Sequence, residues 1–444
     1  MPDLAIRGGR VVTSAGVVDA DIHVLEGVIT RLTPHGEGDA RQEIDARGLV
    51  VLPGVVDGHA HVNEPGRTEW EGWVAATRGA AAGGVTTIAD MPLNSIPPTI
   101  DGAAFDAKYD AASANAIVDF ALWGGLVRTD ADALRELAEC GVVGVKAFLC
   151  PSGVEEFPHL EPEELEPALA AARNAGVLVA LHCEDPSLLS DARGDARAWL
   201  GSRPLAAELT AVERAAAAAR ATGASVHVVH ASSPAVLGAA RAARRAGADI
   251  TAETCPHYLA FDAADVERTG TALKCAPPIR AGARDALWDD VVHGRVDYVA
   301  SDHSPSTRSL KEPNDGRFTS AWGGVAGIQS TLAVMLTEGV HARALPLELL
   351  AQLLATRPAK RLGIWPRKGE IRAGTNADLV LVDLGAEWTF TREMLETRSG
   401  QSPYVGRRFR GRVERTIVRG RTVYADGKVT GTPGDGWFVQ RVNA

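Results

Sequence analysis

The sequence predicts an α/β fold, a (β/α)8 TIM barrel that carries a small composite β-sandwich domain built from both chain ends. Apolar, β-branched runs alternate with helical patterns through the centre of the chain. Residues able to bind metal or carry protons lie at or near the C-terminal ends of these runs, where such barrels place their active sites. At 444 residues the chain has room for a barrel of about 250 residues and a satellite domain.

Eight runs are predicted as parallel strands, because each is apolar and bounded by glycine or polar turns. They cover residues 51–61, 85–91, 118–127, 142–149, 177–183, 225–231, 249–253 and 297–302. Four amphipathic stretches predict helices over 161–175, 205–222, 234–246 and 283–292. A glycine follows each stretch at once or within two residues, as is usual beyond a helix C-terminus.

The two ends of the chain have a different pattern. Residues 4–33 form short alternating runs broken by glycine, and residues 378–383, 413–420 and 422–430 repeat that character. Neither end has enough strands to bury a core alone, so we predict one shared β-sandwich. The predicted domain bounds are 1–50 for its first part, 51–365 for the barrel and 366–444 for its second part with the C-terminal tail.

Composition excludes several classes of partner and location. The net charge is −10 and no long basic tract occurs, which argues against nucleic acid and anionic membranes as partners. The five cysteines form no C-x-x-C pair, which indicates reduced thiols. We find neither a signal-peptide pattern nor a long apolar span, and we therefore expect a cytoplasmic protein.

Two histidines end the first predicted strand. His59 and His61 are two residues apart, so their side chains share one face of a strand. Neutral imidazole is the commonest metal ligand, and a pair held on one rigid face is half of a metal site.

Later strands supply the rest of a metal site. The six residues that we expect at the barrel mouth are His59, His61, Lys146, His182, His230 and Asp302. A buried ammonium would repel a cation, but a lysine that has added carbon dioxide is an anionic two-oxygen ligand. Two metals roughly 3.5 to 4 Å apart could then hold a bridging hydroxide. His59, His61 and Asp302 would hold one metal, and His182 and His230 the other.

Several motifs resemble the cyclic amidohydrolases, and within them the allantoinases. They are HAHVNEPGRTEWEG at 59–72, AAAGGVTT at 80–87, DMPLNS at 90–95, KAFL at 146–149, SGVEEFP at 152–158, SDHSP at 301–305 and the segment 369–380. Together they extend over nearly the whole chain. The resemblance implies a barrel of the amidohydrolase type, a binuclear metal centre, a carboxylated Lys146 and a bridging hydroxide that attacks the substrate.

The resemblance also implies a substrate and partners. The expected reaction opens the hydantoin ring of allantoin to allantoate, a step of purine catabolism, with zinc as the first expectation for the metal and manganese, cobalt or iron as alternatives. Asp302 is expected to be the catalytic acid and base. The residues expected to bind substrate are Asn94, Ser152, Gly153 and Ser304. We expect a homo-oligomer, specifically a homotetramer.

Two alternatives stay open at this point. A dihydroorotase would place arginine where this chain has Asn63, and Leu93-Asn94 also departs from that enzyme, but a hydantoinase or dihydropyrimidinase acting on other cyclic ureides is the alternative function. A non-catalytic scaffold of the same fold is the second, although such scaffolds lack ligands that this chain keeps. Among the other histidines, we expect His227 and His303 to support the site, and His257 is equally compatible with lining the pocket or not.

Overall fold

The structure is a computed structural model and describes residues 1–442. Its centre is a barrel of eight parallel strands, which we number one to eight along the chain. They are Val55–Ala60, Val85–Asp90, Asp119–Leu122, Val145–Phe148, Val179–His182, Val226–Val228, Ile250–Thr254 and Tyr298–Val299. The predicted barrel is confirmed.

The barrel strands pair in the order of the chain. Strands one to three form one parallel ladder, and a short extension of strand three, Gly124–Gly125, continues the pairing into strands four to eight. A parallel bridge between Ala60 and His303 joins the end of strand eight to strand one. The carboxyl ends of all eight strands therefore face one mouth.

Helices surround the barrel. The α-helices are Trp73–Ala82, Gly102–Asn115, Ala131–Cys140, Leu165–Asn174, Ala196–Ser202, Leu205–Thr222, Pro234–Arg245, Pro256–Ala260, Ala263–Thr269, Arg284–Val292, Arg308–Lys311, Thr331–Val334, Leu347–Ala351 and Arg357–Arg361, and wider π-helical turns cover Met335–His341 and Gln352–Thr356. The four predicted helices are present, although the first begins later, at Leu165. No helix among residues 1–442 is long and apolar enough to cross a membrane.

Both chain ends meet in one largely antiparallel sheet of nine strands, which confirms the predicted composite β domain. Its strands are Leu4–Thr13, Gly16–Leu25, Val28–Thr33, Gln42–Asp45, Val50–Pro53, Leu379–Thr389, Arg408–Val418, Arg421–Ala425 and Lys428–Val429. Buried aliphatic side chains from both ends, such as Ile22, Val24, Leu379 and Ile417, pack in one cluster on this sheet. Each buried side chain of this size contributes about 1.5 to 3 kcal/mol, so the two ends stabilise each other.

The prediction of one strand over residues 51–61 is wrong. Val50–Pro53 pairs with Leu379–Thr389 in the end sheet, whereas Val55–Ala60 begins the barrel. Gly54 separates them, and a Cβ at Gly54 would lie 2.1 Å from the Thr86 hydroxyl oxygen, so only glycine fits this close approach. The first barrel strand therefore follows a strand of the end sheet with only Gly54 between them. The predicted domain bounds themselves stay a prediction.

Candidate metal centre

The six predicted ligands line one cavity of about 320 Å³ at the carboxyl ends of the strands. His59 lies near the end of strand one with His61 just beyond it, and His182 is the last residue of strand five. Lys146 is inside strand four, while His230 and Asp302 follow strands six and eight. All six side chains are buried.

His59, His61 and Asp302 form the first donor group. The Nε2 atoms of His59 and His61 lie 3.3 and 3.6 Å from Oδ1 of Asp302. One ligand atom from each residue lies within 4.8 Å of the others, a spacing that suits a shared cation. Burial raises the pKa of Asp302, but the neighbouring histidines outweigh burial and hold it well below its ordinary value, so the carboxylate is ionised.

The other ring nitrogens of these histidines are fixed by the protein. His59 donates from Nδ1 to Oε1 of Glu253 at 2.6 Å, and His61 donates from Nδ1 to the carbonyl oxygen of Leu93 at 2.9 Å. These bonds leave each Nε2 free to face the cavity, which is how metal-binding histidines are usually oriented.

The sequence analysis missed Glu253. This residue ends the predicted seventh strand, and its carboxylate accepts from His227 as well, at 3.1 Å from Nε2. Burial raises the pKa of Glu253, but His59 and His227 together lower it below its ordinary range. Its position at the C-terminal end of a predicted strand could have identified Glu253 as a site residue, because this end of the strands carries the active site in such barrels.

His182 and His230 form the second donor group. Their ring centroids are 4.6 Å apart. Burial lowers the pKa of both histidines well below the ordinary value, so both rings are neutral and able to bind a cation. Nε2 of His182 lies 2.7 Å from Glu184, and Arg203 donates to the same carboxylate at 2.5 Å.

Lys146 lies among these donors without a hydrogen-bond partner for its amine. Its Nζ is buried, has no acceptor among residues 1–442, and lies 4.9 Å from the centre of the Phe148 ring. Burial lowers the pKa of the amine to about 8, which increases the neutral fraction at physiological pH. A buried, unpartnered amine is costly, so its retention here points to chemistry rather than packing.

The backbone is unusual at two of the candidate ligands. His230 has a φ of 42° and Asp302 a φ of 44°, a left-handed conformation that residues other than glycine seldom adopt. Such conformations persist only where the surrounding structure enforces them, and they cluster at functional sites.

The four residues predicted to bind substrate line the same cavity. The Asn94 amide donates to the Asn63 side chain at 3.0 Å, and the Ser304 hydroxyl donates to Oδ1 of Asp302 at 2.8 Å. The hydroxyl of Ser152 bonds within its own loop to the Val154 carbonyl oxygen at 3.1 Å. Gly153 has a φ of +93° beside Trp322, so backbone rather than a side chain faces the cavity there.

Several side chains on the cavity wall were not predicted. Three that carry charge or a large aromatic ring are Arg203, Lys274 and Trp322. All three come from loops or helix ends rather than from strand ends, so the rule that found the ligands could not reveal them.

Three further histidines lie near the site but are not candidate ligands. His227 bonds Glu253, and His303 faces Glu71 at 3.2 Å while its carbonyl oxygen accepts from the His61 amide at 2.7 Å. His257 is buried and is not among the residues that line the cavity.

The donor set fits two divalent cations. Four imidazoles and one carboxylate converge on one cavity, and the amine of Lys146 lies buried among them with no partner in the described chain. Nδ1 of His230 is also buried, with no hydrogen-bond partner among residues 1–442. Nitrogen and oxygen donors of this kind suit zinc, manganese, cobalt and iron.

Comparison with known proteins finds a family match, similar sequences and similar solved structures. Residues 50–423 match the amidohydrolase family. The chain is 47% identical to an allantoinase of Rubrobacter xylanophilus, covering 99% of this chain and 97% of that one, and 46% identical to an allantoinase of Deinococcus radiodurans, covering 97% of each. The L-hydantoinase (dihydropyrimidinase) structure from Arthrobacter aurescens superposes with a TM-score of 0.96 at 31% identity, covering 99% of this chain and 100% of that chain.

Proposed function

We propose, since this chain belongs to the amidohydrolase family, that it is a metal-dependent hydrolase that opens the hydantoin ring of allantoin to give allantoate. The observation that carries this proposal is the nearly full-length identity of 46–47% to allantoinases, in a chain whose six candidate ligands line one cavity.

Two divalent metals would be held by the two donor groups. His59, His61 and Asp302 would bind one ion, and His182 and His230 the other. When bound, the metals would supply a hydroxide nucleophile at neutral pH and polarise the ring carbonyl. Zinc is the first expectation for both positions.

Lys146 would join the two donor groups. Its neutral amine would form an N–C bond to carbon dioxide and release one proton, giving a carbamate whose single negative charge is shared by two oxygens. Its buried, unpartnered Nζ and its lowered pKa of about 8 support this reaction, because only the neutral amine is nucleophilic.

Asp302 would carry the proton. Ring opening breaks a C–N bond, and the departing nitrogen must be protonated because an amide anion is a poor leaving group. The ionised carboxylate would accept the proton of the nucleophile and deliver it to that nitrogen, which is general base and then general acid catalysis. Its hydrogen bond from Ser304, at 2.8 Å, would orient it.

Asn94 and Ser304, with the loop at Ser152 and Gly153, would hold the ring. Neither Asn94 nor Ser304 belongs to the proposed ligand groups. Their replacement by alanine should preserve bound metal and lower kcat/KM.

The test is elemental analysis combined with a rate comparison. The purified enzyme should contain about two divalent metals per chain and should turn over allantoin faster than hydantoin or dihydrouracil. No turnover of allantoin by metal-loaded enzyme, alongside brisk turnover of dihydrouracil, would favour the hydantoinase alternative, which the TM-score of 0.96 to an L-hydantoinase supports. Purified protein without metal and without activity would favour the scaffold alternative.

We further propose that the protein is a cytoplasmic homotetramer. Light scattering of the purified chain would give the subunit number, and fractionation of the source cells would give the location.

A further inference from the structure

The wall of the cavity also carries a cationic region formed by Lys274 and Arg203. Lys274 lies on the loop after strand seven, and its side chain is buried at the cavity wall. Its Nζ lies 4.3 Å from the centre of the Trp199 ring, and the Arg203 guanidinium lies 5.2 Å from the same ring. The Arg203 charge is paired with the Glu184 carboxylate, whereas Lys274 forms no salt bridge among residues 1–442, so Lys274 is the cation on this ring whose charge is not balanced by a carboxylate.

Lys274 differs from Lys146 because the protein satisfies most of its hydrogen bonds. Nζ donates to the carbonyl oxygens of Thr319 and Ala321, at 2.7 and 2.6 Å. A lysine ammonium has three N–H donors. The third finds no acceptor among residues 1–442, and the residue lines the cavity.

The position of Lys274 separates it from Asn94, one of the groups assigned to the ring. Trp199 and Lys274 follow strands five and seven, whereas Asn94 follows strand two, on the opposite side of an eight-stranded barrel. A ring that lies against the candidate ligands and Asn94 leaves the Lys274 side of the cavity for a ring substituent.

We propose that Lys274 is a specificity-determining residue that donates a hydrogen bond to the carbonyl oxygen of the ureido substituent of allantoin. This inference rests on the proposed function. The ureido oxygen is a neutral acceptor, and a charge-assisted bond to it places a cation where plain hydantoin has no group. Lys274 therefore favours ureido-substituted hydantoins over the bare ring.

The test is the ratio of kcat/KM on allantoin to kcat/KM on hydantoin in Lys274→Met. We expect the value for allantoin to fall roughly 10- to 100-fold, the usual worth of a hydrogen bond to a charged group, with the value for hydantoin within about threefold of wild type. Where hydantoin turnover is too slow to measure, its inhibition constant against allantoin replaces it.

Lys311→Met is the matched control. Lys311 is also buried and also donates to carbonyl oxygens of this part of the chain, including that of Gly324, but it does not line the cavity. Its loss should leave the allantoin-to-hydantoin ratio within about twofold of wild type.

The outcomes separate this inference from the proposed function. If Lys274→Met leaves the ratio of the two kcat/KM values unchanged, even where both values fall, Lys274 only holds the loop and the inference is wrong. If the wild-type enzyme does not turn over allantoin, the proposed function fails and takes this inference with it.

Discussion

Three fully buried lysines of this protein have very different surroundings. Lys108 donates to Asp90 at 2.6 Å and to the Met91 carbonyl oxygen at 2.7 Å. Lys368 lies between the barrel and the end sheet and contacts carboxylate oxygens of Asp119 and Asp378, both at 2.5 Å. Lys146, at the mouth of the barrel, has no hydrogen-bond partner in the described chain.

Burial alone does not distinguish these lysines, since burial lowers the pKa of all three. Removing an ammonium from water costs several kcal/mol, which an ion pair offsets only when its hydrogen bonds are satisfied. Lys108 and Lys368 meet that condition and stabilise the fold. Lys146 does not meet it. We infer that burial of this amine becomes favourable only after carbon dioxide and metal ions have bound.

The largest expected effect comes from Lys146→Ala. Metal and activity should be lost together, with kcat lower by about three orders of magnitude or more, because the electrostatic stabilisation of the reacting centre is removed. Metal content and steady-state rates measure this, and short carboxylic acids with added metal should restore part of both. If the Lys146→Ala enzyme keeps two metals and wild-type rates, Lys146 has no role in metal binding and does not differ in function from Lys108 and Lys368.

Asp302→Asn extends the contrast to carboxylates. It should keep much of its metal, because the other ligands remain, and lose roughly two to four decades of rate, the usual worth of a positioned acid or base. The rate is compared at matched metal occupancy. Asp297→Asn, at the opposite end of strand eight, is the control with a near-wild-type rate. Activity of Asp302→Asn within a few-fold of wild type would place the proton transfer elsewhere.

Lys108→Met tests a buried lysine whose hydrogen bonds are satisfied by the protein. It leaves Asp90 buried without its cation, so the free energy of unfolding should fall by about 3 to 5 kcal/mol. Denaturant unfolding measures this, while the folded, metal-loaded fraction should keep its rate. Lys428→Met, at an exposed lysine, should change the free energy of unfolding by less than about 0.5 kcal/mol. Equal stability of the two variants would mean that the buried pair contributes nothing.

The smallest expected effect is that of Glu253→Gln, which weakens a partner inside the site. Glu253 fixes the His59 ring, and loss of such a partner costs about 10- to 100-fold in metal affinity or activity. Metal titration against a chelator measures it. Glu208→Gln, at a buried glutamate that pairs with Arg280 instead, should keep wild-type metal affinity. Unchanged affinity in Glu253→Gln would show that His59 is oriented without it.

The barrel and the candidate ligands could be predicted because both follow from regular spacing. Alternation of strands and helices predicted eight strands, and position at or near strand ends selected His59, His182 and Asp302. The break at Gly54 was not visible, because 51–61 reads as one apolar run and only the close approach of Thr86 requires glycine there.

The supporting residues could not be predicted in the same way. Glu184 and Arg203 meet at His182 through loop geometry that no periodicity encodes. The role of Lys274 could not be predicted for the same reason, since its two carbonyl partners come from a segment more than forty residues away along the chain.

The closure of the barrel has a consequence for synthesis of the protein. His61 donates its backbone amide to the His303 carbonyl oxygen at 2.7 Å, and the Ser301 amide donates to Asp57 at 3.0 Å, so the first barrel strand is fixed by the last. The donor group of His59, His61 and Asp302 thus combines residues at the end of the first barrel strand to be synthesised with one that follows the last. A nascent chain still short of strand eight has the histidines of the second group but cannot complete the first. If the proposed ligands are correct, the first donor group can bind its metal only after the segment that carries Asp302 has left the ribosome.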